Sequence, residues 1–381
     1  MNKIENSKEF NEIVFNLNNK NFQQALNITT QISKKHPNEK IITRLFASIY
    51  FGLRDWANAI KYFEKTLSFE KIKFKIYTNI GVALFNLGKI NQSIDAFKKS
   101  IKDNPNSNIS HNNIGVSYLE LGMFEQAINH FVLSLKLNEN YFEAQKNLLN
   151  TLNFAKSKNK NQYPLIRIDY EINKIKKNYK LINLHKEENI KIILENSNKL
   201  ISGYKKKLFI NETQIFRKNS TNLNCNRHFK IFNKFNTIPK YCFGCYKIQL
   251  SLNTIVDLIK LFFIFDGLNL INNNIRKCMV EIRDQIKGNY KGYIYCEGLS
   301  EAKKIIKNME QILIKSNLNN VKMNIKHGCS EFYQSHPNFE KINYDGEQEI
   351  KYNENWENNE KLIDMQEPIR AEIDRKKFGE H

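Results

Sequence analysis

The sequence predicts two fold classes in one chain, an α-helical solenoid followed by a small α+β domain. Three observations carry this reading. A 34-residue period runs through the N-terminal two-fifths. Helical spacing gives way to strand-like alternation from Tyr246 onward. All six cysteines fall in the second half, at Cys225, Cys242, Cys245, Cys278, Cys296 and Cys329. A length of 381 residues leaves room for two domains with a core each, and 41% apolar with 26% charged residues suits a folded, water-facing chain.

The period is plainest where residues 81–97 (GVALFNLGKINQSIDAF) align with residues 115–131 (GVSYLELGMFEQAINHF) at an offset of 34. At that step Gly81 pairs with Gly115 and Gly88 with Gly122, while Phe63, Phe97 and Phe131 recur. Ala25, Ala59, Ser93 and Ala127 keep a small residue at one register, as a close helix crossing requires, and Pro37 and Pro105 close units two steps apart. Small and large residues alternating in this way form one helix pair per unit, and stacked neighbours bury the face that a single pair leaves open. This register resembles the tetratricopeptide repeat family. The resemblance implies units at about 6–39, 40–73, 74–107 and 108–141 and a capping helix near 142–156, so that the solenoid covers residues 6–156.

Residues 157–240 read as a basic helical connector with an irregular Cys/His segment. Residues 186–201 have helical spacing through Ile190, Ile193, Leu194 and Leu200. Of the formal net charge of +20, residues 157–250 carry +14.

Residues 241–340 form the α+β domain. A strand is predicted over 246–250, an apolar-faced helix over 253–265, and strands over 278–283 and 292–296 joined through Gly288. A helix follows over 300–316, with Ser300 as its N-cap and Glu301 in its first turn, and a last strand spans 321–327. This βαββαβ order is that of a ferredoxin-like sandwich. The tail, 341–381, is acidic and is expected to be extended, with Trp356 its large anchor.

Asn79, Asn113 and Asn147 lie 34 residues apart, each two residues before the small position of its first helix or the equivalent place in the cap. The resemblance implies an asparagine ladder that holds an extended peptide by its backbone in the groove. An amide side chain offers both a donor and an acceptor for such pairing. Leu45 occupies this register in the second unit, so the ladder is short. Ile109 sits where a carboxylate clamp would place a lysine, which argues against capture of a chaperone tail.

Cys225, His228, Cys242 and Cys245 have the spacing of a four-ligand zinc site, two residues between the members of each pair and thirteen between pairs. The topology is also expected to gather Cys242, Cys245, Cys278, Cys296 and Cys329 at one end of the sheet, which makes the last three alternative ligands and an iron–sulfur cluster a second possibility. Cys278 and Cys296 alternate in phase with core positions, so packing thiols are the competing reading. His327 and His336 flank Cys329 and could supply a ligand or a base, with a solvated or structural role the competing reading. Arg217, Arg227, Arg276 and Arg283 could hold an anion or pair at the surface, and Glu281 is expected to be exposed.

The sequence has no GxGxxG after a strand, GxxxxGK[ST], GxSxG, HExxH or HxD, which excludes the usual dinucleotide, P-loop, serine-hydrolase, zincin and His-Asp-His oxygenase sites. Nucleic acid is not an expected partner. The positive charge comes from 50 Lys against 9 Arg, and residues 292–298 lack the aromatic pattern expected of an RNA-binding strand. Residues 1–10 are polar, no apolar run reaches membrane-spanning length, and a cytoplasmic chain with reduced thiols is expected. The functional expectation is a protein-interaction protein whose solenoid binds a peptide or partner and whose Cys-rich domain offers ligands for a structural zinc. The alternative is an enzyme that acts on what the solenoid presents, through a Cys-lined zinc, iron–sulfur or thiol centre.

Overall fold

The computed structural model describes residues 7–37, 39–178, 186–204, 214–217, 226–282, 288–340 and 350–366. The chain divides into two compact units, Met1–Leu148 and Leu149–His381.

The first unit is built of helix pairs: α1 (Lys8–Asn18) with α2 (Phe22–Lys35), α3 (Lys40–Gly52) with α4 (Trp56–Leu67), α5 (Phe74–Asn86) with α6 (Ile90–Asp103), and α7 (Asn108–Glu120) with α8 (Phe124–Leu137). Helix α9 (Phe142–Phe154) follows. Side-chain caps start several of them: Ser7 accepts from Phe10 N, Asp55 from Asn58 N and Ser107 from Ser110 N. The small residues Ala25, Ala59, Ser93 and Ala127 are fully buried, as close crossing of the second helices requires. A Cβ on Gly81 would sit 2.5 Å from the Phe97 ring, and one on Gly115 2.5 Å from the Phe131 ring, so the two aromatics fill the space that glycine leaves.

The turn inside each pair needs a left-handed residue at the 34-residue step. Gly88 (φ 76°) and Gly122 (φ 71°) meet that need without strain, whereas Lys20 and Arg54 adopt φ 60° in the first two pairs. Hydroxyls replace apolar contact along part of the seam. Ser100 and Ser110 lie 2.9 Å apart, Thr78 bonds both, and Ser93 meets Ser117 at 3.1 Å.

The second unit contains α10 (Pro164–Lys177), α11 (Glu187–Ser202), β1 (Gln214–Arg217), α12 (Asn226–Phe235), α13 (Lys240–Phe243), β2 (Tyr246–Leu252), α14 (Ile255–Gly267), β3 (Arg276–Val280), β4 (Tyr290–Cys296), α15 (Leu299–Lys315), β5 (Lys322–His327), α16 (Ser330–Ser335), a 3-10 turn (Pro337–Glu340) and α17 (Glu354–Gln366). The strands form one antiparallel sheet in the order β1-β3-β4-β2-β5, four of its strands coming from residues 246–327. Tyr246, Ile248, Leu250 and Leu252 of β2 alternate inward with Cys278, Ile294 and Cys296. Leu258, Leu261, Ile264 and Phe265 of α14 and Ala302, Ile305, Met309 and Leu313 of α15 pack on that same face. Ile193 of α11 and Ile175 of α10 pack against Phe263 and Phe262 on the far side of α14.

Three local expectations change. Helix α15 begins at Leu299 with Gly298 in the cap position and no side-chain cap, so Ser300 lies inside the helix. Glu301 satisfies the entry instead, accepting from Glu297 N at 2.7 Å. Within the tail, expected to be extended, α17 is helical and docked: Trp356 joins the cluster around Phe332 and Phe339, and Ile363 is buried. Glu281 is buried and pairs with Lys291 at 3.6 Å.

Candidate functional site

Asn79, Asn113 and Asn147 lie on α5, α7 and α9, the first helices of successive pairs and the cap, and each is half-buried. Asn147 Nδ2 donates to Asn112 Oδ1 at 3.0 Å, and Asn112 Nδ2 donates to Asn113 Oδ1 at 3.4 Å. The two later rungs are thereby linked through Asn112, a buried residue that sequence reading passed over because it is off the 34-residue register. Leu45 is buried, in keeping with its place outside the ladder, and Ile109 is half exposed on α7.

The same helix carries a second polar feature. His111 Nδ1 and His130 Nδ1 lie 3.2 Å apart between α7 and α8, with the Tyr118 ring tilted at 41° to that of His130. Burial lowers His111, while burial, His111 and Lys98 together push His130 down to about 4.

The cysteines separate into smaller groups. Cys225 lies outside the described residues. His228 of α12 and Cys242 of α13 are buried, with Cys242 Sγ 3.7 Å from His228 Nδ1. Cys245 stands apart from that pair. Its backbone carbonyl accepts from Gly328 N at 2.8 Å, and its thiol is pushed up to about 11 by burial, against the pull of Lys247. Lys247 Nζ reaches Cys329 Sγ at 3.8 Å. Burial would lower this ammonium, but Cys329, Tyr295, Cys245 and Tyr293 outweigh burial and raise it. Burial pushes Cys296 up to about 12, with Glu301 and Cys245 adding to the effect. Of the five cysteines expected at one sheet end, Cys245, Cys296 and Cys329 lie near one another, whereas Cys242 faces His228 and the fifth, Cys278, lies elsewhere. That residue pairs with Gly292, four residues along β4 from Cys296, and points into the core. Among the described residues no three His, Cys, Asp or Glu side chains converge as a metal group.

His327, His336, Arg276 and Arg227 make contacts within the fold. Both ring nitrogens of buried His327 face carbonyl oxygens at 2.8 Å, those of Phe339 and Phe243. His336 Nε2 lies 3.0 Å from the Asn236 carbonyl. Arg276 is fully buried and donates to Leu268 O at 2.7 Å. Arg227 binds α17: Nε to Asp364 at 2.8 Å and Nη2 to Glu360 at 2.6 Å. Arg283 and the Arg217 side chain lie outside the described residues.

The repeat register can now be set beside known proteins. The tetratricopeptide repeat family matches residues 74–107 and 110–141, the two pairs in which glycine fills the turn. Residues 74–107 and 110–141 of the first unit are tetratricopeptide repeats. A TPR repeat-containing protein of Methanocaldococcus jannaschii is 30% identical over 93 residues, which cover 23% of this chain and 29% of that protein, so the chain spans under a third of its length. Among solved structures, one titled MamA MSR-1 C2 aligns at 23% identity and TM-score 0.31, covering 32% of this chain and 71% of that one. The first TPR of Spaghetti (RPAP3) bound to the HSP90 peptide SRMEEVD aligns at 20% identity and TM-score 0.28, covering 29% and 89%. No described helix is long and apolar enough to cross a membrane.

Proposed function

We propose that this protein is an interaction protein whose TPR solenoid binds an extended peptide or partner segment along the first helices of its repeats. One observation carries the reading. Asn79, Asn113 and Asn147 recur at one register on α5, α7 and α9, half-buried, where their amides can pair with a peptide backbone. Backbone pairing tolerates varied ligand sequences, so the partner is recognised by its extended shape first and its side chains second. In the test, the full chain is panned against a displayed library of 12-residue peptides. Peptides that bind should lose at least about tenfold in affinity when all three Asn become Ala, since each amide contributes on the order of 0.5–1.5 kcal/mol. Equal affinity for the triple variant would remove the ladder.

A second reading rests on Cys242 and His228. A thiolate and an imidazole on one tetrahedral zinc stand about 3.6 Å apart, given bond lengths of about 2.3 and 2.05 Å. The observed 3.7 Å is compatible with that spacing. Of the expected set Cys225, His228, Cys242 and Cys245, this spacing supports His228 and Cys242, between which a zinc would brace α12 against α13. The ferredoxin-like reading of residues 241–340 is supported by the strand order and by both helices sharing one face.

A further inference from the structure

The β2–β5 ladder ends beside two thiols and one ammonium. Tyr246 pairs with His327, and the ladder runs one bond further, from Gly328 N to the Cys245 carbonyl at 2.8 Å. Cys245 and Cys329 therefore leave adjoining strands at the same end of the sheet, one residue out of register. Lys247 lies two residues from Cys245 and so on the same side of β2, and its Nζ reaches Cys329 Sγ at 3.8 Å. We propose that Cys245 and Cys329 are a redox pair that closes to a disulfide in the presence of a peroxide, with Lys247 assisting attack by Cys329. The inference is independent of the peptide-binding reading and uses neither His228 nor Cys242.

The other described cysteines are committed elsewhere. Cys242 is buried against His228 at 3.7 Å. Cys278 and Cys296 are buried in the core on the helix-covered face, and Cys296 Sγ contacts the Ile294 carbonyl at 3.8 Å. Cys245 and Cys329 keep partial exposure, which a solute as small as hydrogen peroxide can use. The backbone holds them in place. Gly328 takes the left-handed φ of 62°, and a Cβ there would collide with the Phe339 ring, so the turn that delivers Cys329 is set by glycine and packed by an aromatic. Cys329 itself packs against the cluster that holds Phe332 and Phe339. Paired strands lie about 4.8 Å apart and a disulfide spans Cα separations of about 4.4–6.8 Å, so a bridge between adjoining strand ends needs side-chain rotation and little backbone movement.

The chemistry assigns each thiol a role. A thiolate is the form that attacks a peroxide, and a neighbouring ammonium stabilises it. Cys329, in contact with Lys247, is the thiol so placed. Its sulfur attacks one peroxide oxygen; an S–O bond forms, the O–O bond breaks, and the departing hydroxide takes the thiol proton as water, leaving a sulfenic acid. The Cys245 sulfur then attacks the sulfenic sulfur; an S–S bond forms, the S–O bond breaks, and the leaving hydroxide takes the Cys245 proton as a second water. The two thiols together lose two electrons, and the peroxide gains them. Burial pushes the Cys245 thiol up to about 11, which spares it from direct oxidation and leaves it to the second step. A dithiol reductant reverses the bridge by exchange.

In the test, the full chain is reduced, freed of reductant and treated with chelator, then exposed to a small excess of hydrogen peroxide. Remaining thiols are alkylated, and the unreduced digest is mapped by mass spectrometry. The expected result is a dithiothreitol-sensitive peptide pair joining Cys245 to Cys329, with two of the six thiols lost to alkylation. Cys245→Ser should give no such pair and a dimedone adduct on Cys329 instead. Lys247→Met should slow the loss of thiols by about tenfold, and Lys247→Arg should keep most of the rate, because a cation stays next to the sulfur. Cys242→Ser should still form the bridge, which separates the pair from the zinc reading. If a variant does not fold, the wild-type peptide map decides alone. Thiols that survive peroxide, a bridge from Cys245 to Cys242, oxidation spread evenly over all the cysteines, or an unchanged rate in folded Lys247→Met would each overturn the proposal.

Discussion

Removing the guanidinium of Arg227 should release the C-terminal helix. The Arg227 side chain is 5% exposed and meets Glu360 and Asp364, themselves 8% and 15% exposed, through contacts of 2.6 and 2.8 Å. A third bond runs from Nη2 to Asp364 Oδ2 at 3.0 Å, and Glu360 also accepts from Lys240 N at 2.7 Å and Tyr352 Oη at 2.8 Å. Burial opposes the cation, but Asp364 and Glu360 outweigh burial and raise the Arg227 pKa. Arg227→Met keeps most of the side-chain volume and strands two carboxylates in a poorly hydrated site. Orphaning a buried ion pair costs about 3–5 kcal/mol. For a unit of this size that cost corresponds to a fall in Tm of roughly 10 °C. Trp56 and Trp356 are the two tryptophans, so in a Trp56→Phe background urea unfolding followed by fluorescence reports on Trp356, which sits in the cluster beneath α17. Adding Glu360→Gln and Asp364→Asn should recover part of the loss, because neutral amides keep hydrogen bonds without uncompensated charge. A loss below about 1 kcal/mol, the range of surface ion pairs, would refute the reasoning.

Further outcomes follow from the same geometry. Gly122→Ala should destabilise the solenoid by about 1 kcal/mol and Arg54→Gly should stabilise it by a few tenths or more, because both positions hold φ above 60° or close to it; differential scanning calorimetry checks the opposite signs. Gly81→Val should cost about 1–3 kcal/mol through collision with Phe97, read from urea midpoints; a neutral result would mean the helix pair can part freely. The folded-state pKa of His130 lies below its unfolded value, so the unfolded chain binds more protons as pH falls. Solenoid stability should therefore be complete above about pH 6.5 and decline toward pH 4, and His130→Leu should flatten that slope in a melting series. If Cys242 and His228 ligate zinc, the purified chain should carry one equivalent by elemental analysis, lost together with metal in Cys242→Ser; metal-free protein with an unchanged melt would end that reading.

The solenoid was legible because its signal is redundant. Ala25, Ala59, Ser93 and Ala127 repeat one steric demand four times, so a departure at any one position does little harm. The first two turns were harder to see, because Lys20 and Arg54 stand where glycine marks the later ones. In the second unit, alternation located the four strands of residues 246–327 within two or three residues but missed β1, and α14 starts at Ile255 behind a Thr254–Asp257 capping box, two residues past the expected start. What failed was tertiary in origin. Glu281 looked exposed because the pairing with Lys291 depends on the β3–β4 register, and Ser300 looked like a cap because Glu301 replaced it from within the helix. The tail looked extended because its helix is held by Arg227, more than 130 residues earlier in the chain. Cys278 was placed with the other thiols on strand direction alone, and the register moved it into the middle of the sheet.

The peptide-binding claim is tested most directly by altering the peptide and leaving the protein untouched. A library-selected peptide is remade with its backbone amides N-methylated at alternate positions and titrated into the full chain by calorimetry. If Asn79, Asn113 and Asn147 read the backbone, methylation on one set of alternate positions should weaken binding by at least about tenfold, while alanine replacement of most peptide side chains changes it little. Binding that survives methylation in both sets and collapses on side-chain replacement would contradict the account.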